Sequence, residues 1–175
     1  MTSNSITKQR IRPRMTYLTI TGLFAAMICI TTAFIFHIPF GFNNGYIHIG
    51  DTLIYLAAAL LPTRYAMVAA AIGGGLADMF TAPMWIPATL IIKAFLTIPF
   101  TNKKSKIINV QNVLAVFLAS FISIIGYYVA EVILLGTEAA LVASVTSSLI
   151  QAVGSGILFI VIGSAFDKMN LKMKL

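Results

Sequence analysis

The chain has 175 residues, 59% of them hydrophobic and 10% charged, with a mean hydropathy of +0.94. A soluble domain carries about 25% charged residues, so this composition excludes a water-soluble globular fold. The formal charge of +7 raises the question of nucleic acid, which only the placement of the basic residues decides. A lone cysteine, Cys29, excludes an internal disulfide and any cysteine-based metal site.

Apolar runs set against turn signals predict helices near 15–36, 47–61, 65–80, 86–100, 111–135 and 140–165. The expected fold is therefore all-α, a polytopic bundle of six transmembrane helices. Residues 1–14 are expected to be a basic cytoplasmic arm, 15–165 one substrate-binding membrane domain, and 166–175 a basic cytoplasmic tail. The first apolar run is longer than a signal-peptide core and no polar mature domain follows it, so it is expected to stay in the protein. Along that run Gly22, Ala25, Ala26, Cys29 and Ala33 form a smooth small-residue face, suited to internal packing or to a partner helix.

The segment 37–51, HIPFGFNNGYIHIGD, comes next and reads as an irregular outer loop. His37 and His48 flank it without a third ligand at metal spacing, so no metal site is expected. The second, third and fourth runs are about 15 residues each, roughly 22 Å of helix against a hydrocarbon core of roughly 30 Å. Their outer ends should give way to ordered loops, 37–51 and the TAPMWIP segment 81–87. Irregular backbone at membrane depth survives only where protein buries it or where it lines a cavity. The AAAIGGGLAD stretch (69–78) reads as a close internal packing surface.

Apart from Lys93, every basic residue falls between apolar runs or at a terminus. With a cytoplasmic N-terminus, the arm, 62–64, 101–110 and the tail all lie inside and hold all eleven. This is the positive-inside pattern, so the charge reports topology and no nucleic-acid partner is expected.

Polar residues within the apolar runs recur at helical spacing. Trp85, Thr89, Lys93 and Thr97 form one stripe; Ser120, Ser123, Tyr127 and Glu131 a second; Ser144, Ser148, Gln151 and Ser155 a third. Three such stripes can line one outward-open cavity with Lys93 and Gln151 at its floor. Alternatives stay open at this stage. Serines and threonines bond to their own helices, and Trp85, Tyr46, Tyr127 and Tyr128 suit an interfacial belt. Asp51 and Asp78, at outer helix ends, fit capping or snorkelling as well as binding. Lys93 needs a partner, and Glu131, Asp78, a carbonyl or an anionic ligand group are the candidates.

The six-span layout, the small-residue face of the first span, GYIHIGDTLIYLAAALLP, AAAIGGGLAD, PATLIIKAF and SSLIQAVGSGIL together resemble the substrate-binding S components of energy-coupling factor (ECF) transporters, over residues 15 to 165. The resemblance implies a bacterial plasma-membrane subunit that captures a vitamin or precursor from outside. It also implies association with a transmembrane T subunit and two cytoplasmic ATPase subunits. The lipid bilayer is the remaining partner, no cofactor is implied, and no G-xxxx-GK-[ST] nucleotide loop occurs. The family's Ala-xxx-Ala docking motif falls on Gly22 and Ala26, with Ala25 and Cys29 beside them; glycine in the first position departs from the pattern. Ligand contacts fall on Trp85, Lys93, Tyr127, Glu131 and Gln151, with Asp51 and Asp78 as further candidates. Among family ligands a thiamine pyrimidine precursor or a vitamin B6 compound is favoured, with riboflavin next. A small stand-alone carrier and a membrane-embedded enzyme are the competing classes, the latter poorly served by five scattered acidic residues.

Overall fold

The computed structural model describes residues 3–35, 38–39, 46–47, 49–136, 140–170 and 172, with side chains over 14–35, 49–134, 136, 148–170 and 172. The helices are α1 (Ser3–Ala33), α2 (Gly50–Leu60), α3 (Thr63–Thr81), α4 (Ile86–Phe95), α5 (Val110–Leu135) and α6 (Ala140–Lys168). A single 3-10 turn, Pro83–Trp85, leads into α4. Between α1 and α2 a two-residue antiparallel ladder pairs β1 (Ile38–Pro39) with β2 (Tyr46–Ile47), Ile38 opposite Ile47. Among the described residues the other regular elements are all helical.

Local chemistry explains most boundaries. Asn109 caps α5 by accepting a hydrogen bond from the Asn112 N–H at 3.1 Å, and Gly136 ends that helix in the left-handed conformation, φ 66°, which glycine adopts without strain. Pro83 and Pro87 sit in the first turns of their elements, where a missing N–H costs nothing. At the other end of α4, Pro99 follows a series of tight turns and closes the helix at Phe95, short of the expected residue 100. Two further differences from the sequence expectation concern α1 and α2. Helix α1 starts at Ser3, well before the expected residue 15, so the basic stretch is itself helical, while the apolar stretch long enough to cross a membrane begins at Arg14. And α2 starts at Gly50 rather than 47, because Tyr46 and Ile47 belong to the ladder.

Arg14–Ala33, Val110–Leu134 and Ser148–Lys168 are long and apolar enough to cross a membrane, while α2 and the Pro83–Phe95 segment are apolar but shorter. The distribution of side chains is inverted relative to a soluble protein. Leu23, Phe34, Phe117, Phe121, Ile133 and Val153 are exposed, whereas Asp51, Asp78, Lys93, Asn112, Glu131 and Gln151 are buried. Such a surface matches hydrocarbon as solvent, with the polar groups turned inward.

The helices pack in a closed circuit: α1 on α3, α3 on α4, α4 on α5, α5 on α6, α6 on α2, and α2 back on α1. Tyr55, Phe100 and Phe159 form an aromatic cluster that joins α2, the end of α4 and α6, with ring centroids 5.1–6.0 Å apart. The α1–α3 contact is set by Gly73, where a Cβ would lie 2.7 Å from the Ala25 carbonyl oxygen and 2.8 Å from Ile28 Cβ. This confirms internal packing for the glycine-rich stretch. At one end of the circuit, here termed the basic end, lie the α2–α3 turn, the 96–109 connection and the C-terminus of α6; the Trp85 turn lies at the opposite end.

Candidate solute-binding site

The site begins with the shortness of α2. Eleven residues span only about 16 Å, so the first turn of α2 starts inside the protein rather than at its surface. That turn carries Asp51, which is 1% exposed. A carboxylate there gains from the partial positive charge of the helix N-terminus. Two side chains complete its surroundings. Lys93 Nζ, on α4, lies 2.6 Å from Asp51 Oδ1, and Gln151 Nε2, on α6, donates to Asp51 Oδ2 at 2.6 Å. One carboxylate therefore ties three helices together. Below it, Thr52 Oγ1 donates to the Ser155 carbonyl at 3.1 Å and closes the α2–α6 seam.

The lysine stem reaches this position because α3 offers no side chain in its path. A Cβ on Gly74 would stand 3.0 Å from both Lys93 Cγ and Thr89 Cγ2. Lys93 Nζ also lies over the Tyr127 ring, 5.3 Å from its centroid, adding a cation–π contact to the ion pair. The Tyr127 hydroxyl is 3.2 Å from Thr89 Oγ1, and its ring meets Trp85 edge-on at 6.2 Å. Trp85 packs with Ala82 and Ala130. Asp78, buried near the end of α3, lies within electrostatic range of Tyr127, as do Asp51 and Lys93. Glu131 is buried one helical turn beyond Tyr127 on α5.

The resulting buried polar cluster joins the charged group of Asp51, Lys93 and Gln151 to the aromatic pair of Tyr127 and Trp85, with further buried carboxyls from Asp78 and Glu131. In low dielectric the ion pair is retained only because both partners are hydrogen-bonded and close.

The structure brings together Trp85, Lys93, Tyr127, Gln151 and Asp51, and buries Glu131 and Asp78 near them. One sequence expectation needs correction: the carboxylate that pairs with Lys93 is Asp51, which was not among the candidate partners. The small-residue face of α1 also divides: Ala25 and Cys29 are buried, Cys29 against Ala77 of α3, whereas Gly22 and Ala26 are exposed, with open space where a Gly22 Cβ would project. Ser155 stood on the third polar stripe, whereas Thr52 and Gly74 were not foreseen as site residues. Thr52 lies next to Asp51, which was the available signal. The side chains of His37, His48, Tyr46 and Ser144 lie outside the described residues.

Fold and site define a class: a helical membrane protein, apolar outside, with a buried polar cluster inside. Residues 14–168 match the family model described as "ECF-type riboflavin transporter, S component". The chain belongs to the ECF-type S-component family, membrane-integral subunits of transporters rather than enzymes. It is also 30% identical over 128 residues to a Pyrococcus woesei protein described as "Uncharacterized protein in gap 3'region", a match that covers 73% of this chain and 85% of that one.

Proposed function

We propose that the chamber between α2, α4, α5 and α6 binds a water-soluble vitamin or vitamin precursor with a flat heteroaromatic ring, for import by an ECF complex. The observation that carries this reading is the convergence of Asp51, Lys93 and Gln151 beneath the Trp85–Tyr127 pair. Riboflavin takes first place among the ligands because the matched family is described by it. A thiamine pyrimidine or a vitamin B6 compound is the second reading, favoured by the acidic groups Asp51, Asp78 and Glu131 around a chamber that suits a ring amine or protonated nitrogen. In either case the ring stacks on Trp85 and Tyr127, and the polar substituents bond to Gln151, Glu131 and the Asp51–Lys93 pair.

The reading extends to topology and partners. All six helices cross or enter the membrane, the termini and the 101–110 loop face the cytoplasm, and the chamber opens outward. Gly22 and Ala26, exposed on α1, dock a T subunit that in turn engages two ATPases. The experiment is small-molecule analysis of the purified chain, followed by titration with riboflavin, hydroxymethylpyrimidine and pyridoxine. Saturable binding of one supports the reading; binding of none of the three, and no retained small molecule, refutes it.

A further inference from the structure

We infer that the basic end of the bundle holds a specific site for the phosphate of an anionic phospholipid. A cleft of about 540 Å³ opens there, between Thr63 at the start of α3, the 96–109 connection and the first turn of α5. Thr63, Thr101, Asn102, Lys103, Lys104 and Gln111 line it, with Phe100 at its apolar edge. No carboxylate is among the lining residues. The chain has no acidic residue between Asp78 and Glu131, so nothing in the loop neutralises Lys103, Lys104 or Lys106.

The cleft walls are fixed. The buried Asn112 side chain accepts from the Thr101 N–H at 2.8 Å and donates to the carbonyls of Thr101 and Ile107 at 3.0 and 2.9 Å. Asp167 of α6 accepts the N–H groups of Ile107 and Ile108 through its two oxygens, at 2.7 and 2.8 Å. These bonds hold the lysine-bearing loop against α5 and α6 and commit the carboxylate at this end of α6 to backbone. The N-terminus of α5, capped by Asn109, adds its favourable partial charge for an anion.

A soluble anion would need only the cleft. What selects a lipid is the surface next to it. Val110, Leu114, Phe117 and Phe121, spaced four, three and four residues apart, form one exposed apolar stripe that runs up α5 from the residue adjoining Gln111. A phosphate seated between Lys103 and Lys104 places its acyl chains along that stripe. Charge complementarity and continuity with a hydrocarbon track commit the site to one occupant, a phospholipid with a net negative headgroup.

The test uses the full chain in detergent, with native mass spectrometry and thermal unfolding, and phosphatidylglycerol or phosphatidylcholine of equal chain length as probes. Phosphatidylglycerol is expected to be retained and to raise the unfolding temperature, phosphatidylcholine much less. Lys103→Gln/Lys104→Gln should weaken phosphatidylglycerol binding about 30-fold, Lys103→Arg/Lys104→Arg should keep it, and Lys168→Gln, away from the cleft lining, should leave it unchanged. Equal retention of the two lipids, or undiminished phosphatidylglycerol binding in the double glutamine variant, overturns the site. Glycerol phosphate stabilising the protein as strongly as the lipid overturns the lipid assignment. Loss of T-subunit or ATPase association in the double glutamine variant with lipid binding intact marks the cleft as a protein contact and overturns it too.

Discussion

Asp51 is the residue on which the chamber turns, because it is a single charge serving two donors from different helices. Removing one partner of a buried pair leaves the other uncompensated, at a cost of about 3–5 kcal/mol. Lys93→Met is accordingly expected to lower thermal stability in detergent even without ligand, and Lys93→Met/Asp51→Leu to recover most of the loss. Wild-type stability in Lys93→Met, with binding weakened, would mean that the lysine serves the ligand rather than the fold. On the proposed reading Glu131→Gln removes a ligand hydrogen bond worth about 1–3 kcal/mol, or roughly 5- to 150-fold in affinity, measurable by equilibrium titration; Gln151→Ala should weaken binding likewise and, by taking one donor from Asp51, lower stability as well. Sequence reasoning found that Lys93 needs a partner and placed it on the right stripe. It listed Asp51 as a further site candidate but not as the partner of Lys93, because a residue at the start of a helix reads as interfacial unless the depth of that start is known, and depth is a tertiary property.

At the scale of elements, the glycines of α3 divide the bundle's tolerances. Gly73 touches α1 backbone and Gly74 touches the Lys93 stem, whereas Gly22 on α1 faces open space. Gly73→Val is expected to cost about 1–3 kcal/mol through overpacking, while Gly22→Val, outside any contact, leaves unfolding of the isolated chain nearly unchanged; both are read by thermal denaturation. The docking face gives a complementary prediction. Ala26→Trp should abolish copurification with a T subunit while solute affinity stays within about twofold, and joint loss of binding and expression would show that Ala26 packs internally. The helices themselves were legible from apolar runs, and Asn109, Gly136 and Pro99 mark boundaries that a reader can find. The split of the α1 face was not legible. Gly22, Ala25, Ala26 and Cys29 share a smooth character, and only the position of α3 decides which of them it covers. The Ile38–Pro39 ladder with Tyr46–Ile47 was equally hidden, since two-residue strands carry no periodicity.

For the whole molecule, the apolar exterior and buried polar interior follow from composition, and the matched family gives the assembly in which such a chain works. Orientation is tested in a Cys29→Ser background: cysteines at positions 43 or 137 should react with an impermeant reagent on intact cells, and one at Ser105 only after lysis. Reaction at Ser105 on intact cells would invert the bundle. The central claim, that the chamber binds a solute, has a built-in reporter, since Trp85 is the chain's sole tryptophan and stands against Tyr127 in the chamber wall. Titration of the purified protein with riboflavin, hydroxymethylpyrimidine and pyridoxine should give, for one of them, a saturable change in Trp85 emission whose midpoint moves to higher concentration in Gln151→Ala. Emission that changes for none of the three, or a midpoint identical in the wild type and Gln151→Ala, would contradict a binding site between Trp85 and Asp51.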